Sequence, residues 1–309
     1  MPSLPPLSAK PHASTLPIGG ILVLIASTWA LSGLDASGKW VMGLGVPLLL
    51  MCWFRYVIHF FLVLALVFPS KGWGVFRSQR PRAQLLRGII MMLATFSLFT
   101  ALRYLPQAEA TAINFLAPLI VLAAAPWLLK EKSYVSRWIA AGVGLIGVLI
   151  IIRPGSDLPP VGIFFGLITA CMFAMQFIVT RRVAIDNAMT TLLWSGAIGS
   201  LCLTIALPFI LPAALPILKT LTPLQWLVLA STGFWGALGH LWQIQAYRLA
   251  PASLLAPFVY LQIIAAGGLG WVIWGHFPDR TSWFGILIIC VSGIVIGAIE
   301  WRRVANTDH

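Results

Sequence analysis

Three polar side chains share one face of an otherwise apolar segment at residues 224–247. His240, Gln243 and Tyr247 follow one another at i, i+3 and i+7, the spacing that places side chains on one side of a helix. An imidazole, a carboxamide and a phenol can bind a polar ligand, and the imidazole can also take up a proton. The same groups could instead bond to neighbouring helices. We favour the first interpretation, because three polar groups share the face.

A second polar stripe is formed by Thr111, Asn114 and Pro118, which again fall at i, i+3 and i+7. Gln262 occupies a similar face of a related segment further along the chain. Two carboxamides that face one cavity would suit a zwitterion or an amide, whereas bonding between helices is the open alternative. The two stripes together predict a small-molecule binding cavity.

Aromatic and single polar residues in the same segments complete the predicted cavity. Aromatic walls would suit a flat, partly apolar ligand. The predicted lining comprises Ser32, Thr95, Phe99, Thr111, Asn114, Phe115, Gln176, His240, Gln243, Tyr247, Tyr260 and Gln262.

Charged residues inside apolar segments need a partner or a route to the membrane surface. Arg55 and His59 lie one helical turn apart, and Asp35 is the candidate partner for the arginine. We interpret this pair as structural. Glu109 stands near the start of its segment, where a carboxylate stabilises the positive end of the helix dipole.

These residues lie in segments that are long enough to cross a membrane. The chain of 309 residues is 60% hydrophobic and 9% charged, with a mean hydropathy of +0.94. About 20 apolar residues cross the hydrocarbon core as a helix. We predict ten spans, at residues 18–38, 46–68, 84–103, 107–129, 134–152, 161–180, 188–211, 224–247, 251–274 and 282–300. Pro208, Pro212 and Pro216 are predicted to end the seventh span and to begin a short interfacial loop.

The basic residues predict the orientation of the chain. Of the 20 Lys and Arg, 14 lie on the side that holds the N-terminus and five on the other, with Arg55 inside a span. Because Lys and Arg are enriched in cytoplasmic loops, both termini are expected in the cytoplasm and the protein in the inner membrane. The net charge of +12 needs no nucleic-acid partner, and the lipid bilayer is the expected environment.

The chain contains a weak internal repeat. Residues 101–152 and 246–297 align without a gap at a spacing of 145, pairing Pro106 with Pro251 and Leu116 with Leu261. Five spans in each copy would make the second copy enter the membrane from the opposite side. The predicted fold is therefore all-α and integral to the membrane, with ten helices in two inverted five-helix repeats around a central cavity. The predicted units are a disordered cytoplasmic tail, two repeats and a second cytoplasmic tail, at residues 1–17, 18–155, 156–300 and 301–309.

Short runs in both copies resemble a known transporter unit. The runs are 101–106 (ALRYLP), 108–112 (AEATA) and 115–119 (FLAPL) in the first copy, with 246–252 (AYRLAPA) and the glycine-spaced stretch 283–293 in the second. They resemble the EamA-type unit of the drug/metabolite transporter superfamily. The resemblance implies ten helices in two inverted units, cytoplasmic termini and a central substrate cavity. Members of this superfamily move amino acids, nucleotide-like compounds, vitamins and drugs.

The exporters of amino acids, including aromatic ones, are the branch that the chain resembles best. We therefore expect a transporter that exports small organic metabolites by alternating access. A transporter of flavin-like vitamins or nucleotide-like metabolites is the alternative, and an integral-membrane lipid enzyme is a third. An enzyme would need clustered catalytic groups, but the five histidines are scattered, and the four cysteines lie in separate spans. We expect no catalytic residues, no metal, no cofactor and a monomer with its cavity within one chain.

Prolines and glycines predict where the helices move. Pro106, Pro118, Pro251 and Pro257 are the candidate hinges, because a proline inside a helix removes a hydrogen bond and permits bending. Bending of spans three, four, eight and nine would open the cavity to each side in turn. Spaced glycines at 142, 144 and 147 are expected to allow close helix contact.

Overall fold

The computed structural model describes residues 18–128, 134–153, 157–250, 255 and 258–307, and this part of the chain is helical without strands. A short 3₁₀ helix spans Gly72–Phe76. The α-helices are α1 Ile18–Gly43, α2 Leu48–Lys71, α3 Pro81–Tyr104, α4 Gln107–Asn114, α5 Leu116–Leu128, α6 Val135–Ile151, α7 Pro160–Arg182, α8 Ala188–Thr220, α9 Pro223–Leu249, α10 Leu261–Trp274 and α11 Arg280–Thr307.

Six of these helices are long and apolar enough to cross a membrane, judged by length and composition. They are α1, α2, α3, α7, α8 and α11, while the segments Gln107–Val121, Val135–Ile151 and Leu261–Trp274 are shorter apolar helices. The prediction of an all-helical, multi-pass membrane protein is confirmed.

The helix starts follow local sequence signals. A proline occupies the first turn of α3, α7 and α9, where no intrahelical hydrogen bond is lost. Thr222 and Gln225 form a reciprocal capping box at the start of α9. The side chain of Asn187 accepts a hydrogen bond from the backbone of Met189 at the start of α8. Helices α3, α7, α8 and α9 therefore begin within a few residues of the predicted span starts.

Helix α8 corrects one prediction. It continues through Pro208, Pro212 and Pro216 to Thr220, so these prolines do not end the helix. Their four-residue spacing places all three on one exposed face, away from the bundle. Each proline lacks the N–H that would bond to the carbonyl four residues earlier, which belongs to Thr204, Pro208 or Pro212. The three missing hydrogen bonds therefore lie on one side of the helix.

The fourth predicted span has a one-residue interruption inside the bundle, at which Phe115 keeps helical backbone angles and its N–H bonds to the carbonyl of Thr111 at 3.1 Å. Helix α4 ends at Asn114, Phe115 is a turn residue, and α5 begins at Leu116. Pro118 explains the break, because it supplies no N–H to the carbonyl of Asn114 four residues earlier. Pro106 precedes α4 as its N-cap residue, as expected for a helix start.

Small residues allow the helices of the two halves to approach closely. Helix α1 packs along α9, and α3 packs along α7. Ser27 donates a hydrogen bond to the carbonyl of Gly239 across the first of these contacts, at 2.7 Å. Gly147 of α6 and Gly285 of α11 face each other so closely that a Cβ on either would meet the carbonyl oxygen of the other within 2.8 Å.

Other predictions concern residues outside the described part of the chain or the end of its last helix. The predicted tail at residues 1–17 and the predicted hinges Pro251 and Pro257 lie outside the described residues. At the C-terminus α11 continues to Thr307, beyond its predicted end at residue 300, so most of the predicted second tail is helical.

Candidate functional site

Three helices meet through polar contacts around Ser32. Gln107 donates from Nε2 to the carbonyl of Ser32 at 2.8 Å, and Ser32 donates from Oγ to the carbonyl of Gln262 at 3.3 Å. Thr111 donates back to the carbonyl of Gln107 at 2.8 Å. The predicted residues Ser32 of α1 and Gln262 of α10 are thus brought together beside Gln107 of α4. Sequence reasoning missed Gln107, although a carboxamide directly after Pro106 at a span end was a usable signal.

Two aromatic residues meet where corresponding helices are interrupted. Phe115 separates α4 from α5, and Tyr260 is the residue before α10. Their ring centroids are 4.9 Å apart. The two positions are separated by 145 residues, the spacing of the sequence repeat. We call Phe115 and Tyr260 the break pair. Asn114 lies beside it, half-buried, with an Oδ1 atom that has no hydrogen-bond partner.

A second group of polar residues lies between α2, α3 and α9. Arg55 donates from Nη1 to Oγ1 of Thr95 at 2.9 Å, and the Tyr56 hydroxyl also bonds to Thr95 at 2.9 Å. The rings of His59 and His240 are 6.2 Å apart. The structure thus adds Arg55, Tyr56 and His59 to the predicted residues Thr95 and His240.

The predicted partnership of Arg55 with Asp35 is wrong. Within the described part of the chain Asp35 forms no ion pair and no hydrogen bond, although it is only 6% exposed. The arginine is held instead by Thr95 and by the ring of Tyr56, 4.7 Å from the guanidinium carbon. We call Asp35, Arg55, His59 and His240 the interior charge cluster.

The remaining predicted residues have separate surroundings. Gln243 is half-buried, whereas Tyr247 at the end of the same stripe is 43% exposed. Gln176 is buried on α7, and its Oε1 has no partner. Phe99 is fully buried against Gly38, where a Cβ would meet its ring at 2.2 Å.

At one end of the bundle a carboxylate joins the loops of the two halves. Asp186, between α7 and α8, accepts hydrogen bonds from the Ser78 hydroxyl at 2.5 Å, the Gln79 backbone at 2.7 Å and Gln84 Nε2 at 2.8 Å. Deeper in, Arg87 of α3 donates to Thr180 and to Ser195.

Acid is expected to weaken this junction. Desolvation acts to raise the pKa of Asp186, but the bonds from Ser78, Gln79 and Gln84 outweigh it and hold the pKa below its ordinary value of 3.8. Because the folded-state pKa is depressed, the stabilisation is present above pH 3.8 and is lost as the pH falls through the folded-state value. The thermal unfolding midpoint, measured between about pH 6 and about pH 3, should fall less steeply in Asp186→Asn than in wild type. Identical pH profiles would contradict this.

Other polar contacts join loops and helix ends elsewhere. Arg153 pairs with Asp279, which also accepts from the Ser282 backbone at 2.6 Å. That backbone bond, together with Arg153, keeps the pKa of Asp279 below its ordinary value. Glu109 lies in the first turn of α4, where its carboxylate faces the positive end of the helix dipole as expected, and it also contacts His276 at 3.3 Å.

Two apolar grooves lie on the bundle and do not involve the predicted lining. One, of about 290 Å³, lies between α2, α8 and α9, and the other, of about 310 Å³, lies between α6 and α11. Apolar side chains line both almost entirely; the polar residues are Gln245 in the first groove and Ser136 and Ser292 in the second.

The two halves of the chain match a known protein family separately. Residues 18–153 and 160–298 each match the EamA-like transporter family. The chain is 27% identical to a protein of Rickettsia felis named S-adenosylmethionine uptake transporter, over 79% of this chain and 80% of that protein. It is 26% identical to a protein of Vibrio cholerae named riboflavin transporter, over 96% of this chain and 97% of that protein.

A solved crystal structure has the same fold. It superposes with a TM-score of 0.59 and 22% sequence identity, and the match covers 92% of this chain and 96% of that one. Both matched segments together span nearly all of the described bundle. This chain therefore belongs to the EamA-like transporter family.

Proposed function

We propose that this protein is a secondary transporter that moves small organic metabolites by alternating access between two inverted five-helix halves. The pattern of helix contacts between the two halves supports this proposal. If α1 to α6 correspond to α7 to α11, with α4 and α5 together matching α10, then the contact of α1 with α9 corresponds to that of α7 with α3. Helices α2 and α8, and likewise α6 and α11, pack against their own counterparts. A two-fold repeat requires this pattern.

The break pair is the observation that carries the proposal. Phe115 and Tyr260 interrupt corresponding helices one repeat apart, and their rings touch inside the bundle. Discontinuous helices at the interface of two repeats are where secondary transporters bind substrates. The unpartnered Oδ1 of Asn114 beside the pair is a group that a substrate could bond. The pathway would lie within one chain, so a monomer would suffice.

The substrates that we propose carry an α-amino-acid group. The exporters that the sequence resembles move amino acids, and the Rickettsia felis relative is named for S-adenosylmethionine, which bears the same group. Free amino acids, aromatic ones included, and their adenosyl derivatives are therefore the first candidates, with export proposed for the amino acids. Riboflavin is the second, because the Vibrio cholerae relative carries that name and the break pair suits a flat ring.

The proposed orientation has both termini in the cytoplasm and the chain in the inner membrane. It rests on the excess of Lys and Arg on the side that holds the N-terminus. In this orientation Asp186 would join the two halves on the cytoplasmic side, and Asp279 would lie on the opposite side.

Reconstitution tests the proposal. Liposomes containing the purified protein would be loaded with amino acids, S-adenosylmethionine and riboflavin, and the release of each compound followed by mass spectrometry. We expect selective release of at least one compound, slowed about tenfold when both rings of the break pair are replaced by alanine. Phe164→Ala is the matched control, since this ring is 60% exposed on α7. Release no faster than from protein-free liposomes, for every compound, would refute the proposal.

A further inference from the structure

Tyr260 of the break pair reaches across the bundle to a glycine of α11. A Cβ built on Gly293 would overlap the hydroxyl group and Cζ of Tyr260 and lie 2.7 Å from its Cε2. These three atoms are the nearest heavy atoms outside the local helix, and Gly293 itself is buried. Because packed interiors do not tolerate such overlap, the tyrosine occupies the space that any side chain at position 293 would need.

The ring of Tyr260 is held from two directions. Phe115 packs against it, with a centroid distance of 4.9 Å and an angle of 40° between the ring planes. The backbone of α11 at Gly293 receives its hydroxyl end. Tyr260 is also the residue directly before α10, so the start of that helix sets its backbone position. Together these contacts fix the orientation of the ring inside the bundle.

The two halves of the chain differ at the position of this glycine. The repeat spacing of 145 pairs Phe115 with Tyr260, and it pairs Val148 with Gly293. The first half thus combines a phenylalanine with a fully buried valine, whereas the second combines a tyrosine with a glycine. Tyrosine is longer than phenylalanine by its hydroxyl group, and the glycine supplies the space for that group.

We propose that Gly293 is a positioning residue, which admits the hydroxyl end of Tyr260 so that the ring face is presented to a substrate at the break pair. This rests on the proposed function and narrows the recognised group to a flat ring, which binds an aromatic face by stacking. A Cβ on a helix cannot move aside, so a side chain at position 293 would displace the ring from its place beside Phe115.

Three variants separate the ring from its hydroxyl group. The half-saturation concentration and the maximal rate of exchange would be measured in liposomes for L-tryptophan, S-adenosylmethionine and riboflavin, which carry rings, and for L-alanine, which carries none. We expect Tyr260→Ala and Gly293→Ala each to raise the half-saturation concentration of the ring-bearing compounds by about tenfold and that of L-alanine little. Tyr260→Phe should change neither, because the ring remains and the hydroxyl group faces α11.

A double variant tests whether Gly293 acts through Tyr260. In wild type, Gly293→Ala should lower the unfolding midpoint, because the new methyl group overlaps the tyrosine. In the Tyr260→Ala background the overlapping atoms are gone, so the same substitution should lower neither the midpoint nor the affinity further. Gly142→Ala is the matched control, since Gly142 is exposed and nothing lies within 4 Å of a Cβ there. Size-exclusion profiles would establish that all variants are folded.

The outcomes distinguish this inference from the proposed function. Three results would overturn the inference and leave the transporter proposal standing: equal losses for L-alanine and the ring-bearing compounds, a loss in Tyr260→Phe as large as in Tyr260→Ala, or additive effects in the double variant. Wild type that exchanges L-alanine alone would overturn it as well. Wild type that moves none of the compounds refutes the proposed function, whereas the unfolding midpoints still decide whether Gly293 holds Tyr260 in place.

Discussion

Replacing Gly285 with alanine is expected to destabilise the protein by about 1–3 kcal/mol, the usual cost of overpacking a tight contact. The new Cβ would stand 2.6 Å from the carbonyl oxygen of Gly147 and 2.7 Å from Cγ1 of Ile151. A carbonyl oxygen of a helix cannot turn aside, so α6 and α11 must move apart. Gly147→Ala should have the same effect, because its Cβ would meet the Gly285 carbonyl at 2.8 Å. Thermal unfolding in detergent, followed by tryptophan fluorescence, would measure the loss.

Gly142 provides the control on the same helix. Nothing lies within 4 Å of a Cβ at this position, and the residue is exposed. Gly142→Ala should leave the midpoint unchanged or raise it, because alanine favours the helix by about 0.5–1 kcal/mol over glycine. If Gly142→Ala and Gly285→Ala lower the unfolding midpoint equally, the close crossing of α6 and α11 does not depend on the absence of a side chain at Gly285.

Pro118→Ala is expected to slow transport by about tenfold while the protein stays folded. Alanine at this position supplies an N–H for the carbonyl of Asn114, so α4 and α5 can join into one straight helix. Since an interior proline disfavours a helix by about 3 kcal/mol, its removal stabilises the unbroken form. Movement that needs the break at Phe115 is then slower. Initial exchange rates in liposomes with equal amounts of protein would measure the effect.

Pro212→Ala is the matched control for this prediction. Pro212 also lies within a helix, but α8 is continuous around it and its side chain is exposed away from the bundle. Its replacement should leave the exchange rate unchanged. Full exchange activity in Pro118→Ala would show that the break is a fixed feature and not a hinge.

Much of the fold was predictable, because membrane spans are specified by local composition. The apolar segments and the helix starts at prolines 81, 160 and 223 follow from the residues themselves. The continuation of α8 through its three prolines did not follow from the residues themselves. In water a proline breaks a helix, because the freed carbonyls bond to solvent. In a membrane helix the freed carbonyls can be satisfied by Ser or Thr side chains, water or small backbone adjustments, whereas ending the helix in lipid would leave more backbone groups unbonded.

The site was predictable in part, for a different reason. The repeat spacing of 145 pairs Phe115 with Tyr260, and the proposed two-fold relation of the halves would bring the two rings together. The separation of Asp35 from Arg55 could not be predicted, because two opposite charges on neighbouring segments suggest an ion pair. Whether they meet depends on helix rotation by a fraction of a turn, and in the structure Arg55 bonds instead to Thr95 of α3.

The length of α8 has a consequence for the surrounding bilayer. Its 33 residues extend about 50 Å at 1.5 Å per residue, whereas the hydrocarbon core is about 30 Å thick. The helix must therefore overhang the core or tilt strongly, and the end with three prolines and Lys219 is the part suited to the headgroup region. Thicker bilayers would immerse more of this end and thinner ones less. A change in lipid chain length would then change the tilt of α8, and with it the position of α2, which packs along the inner face of α8.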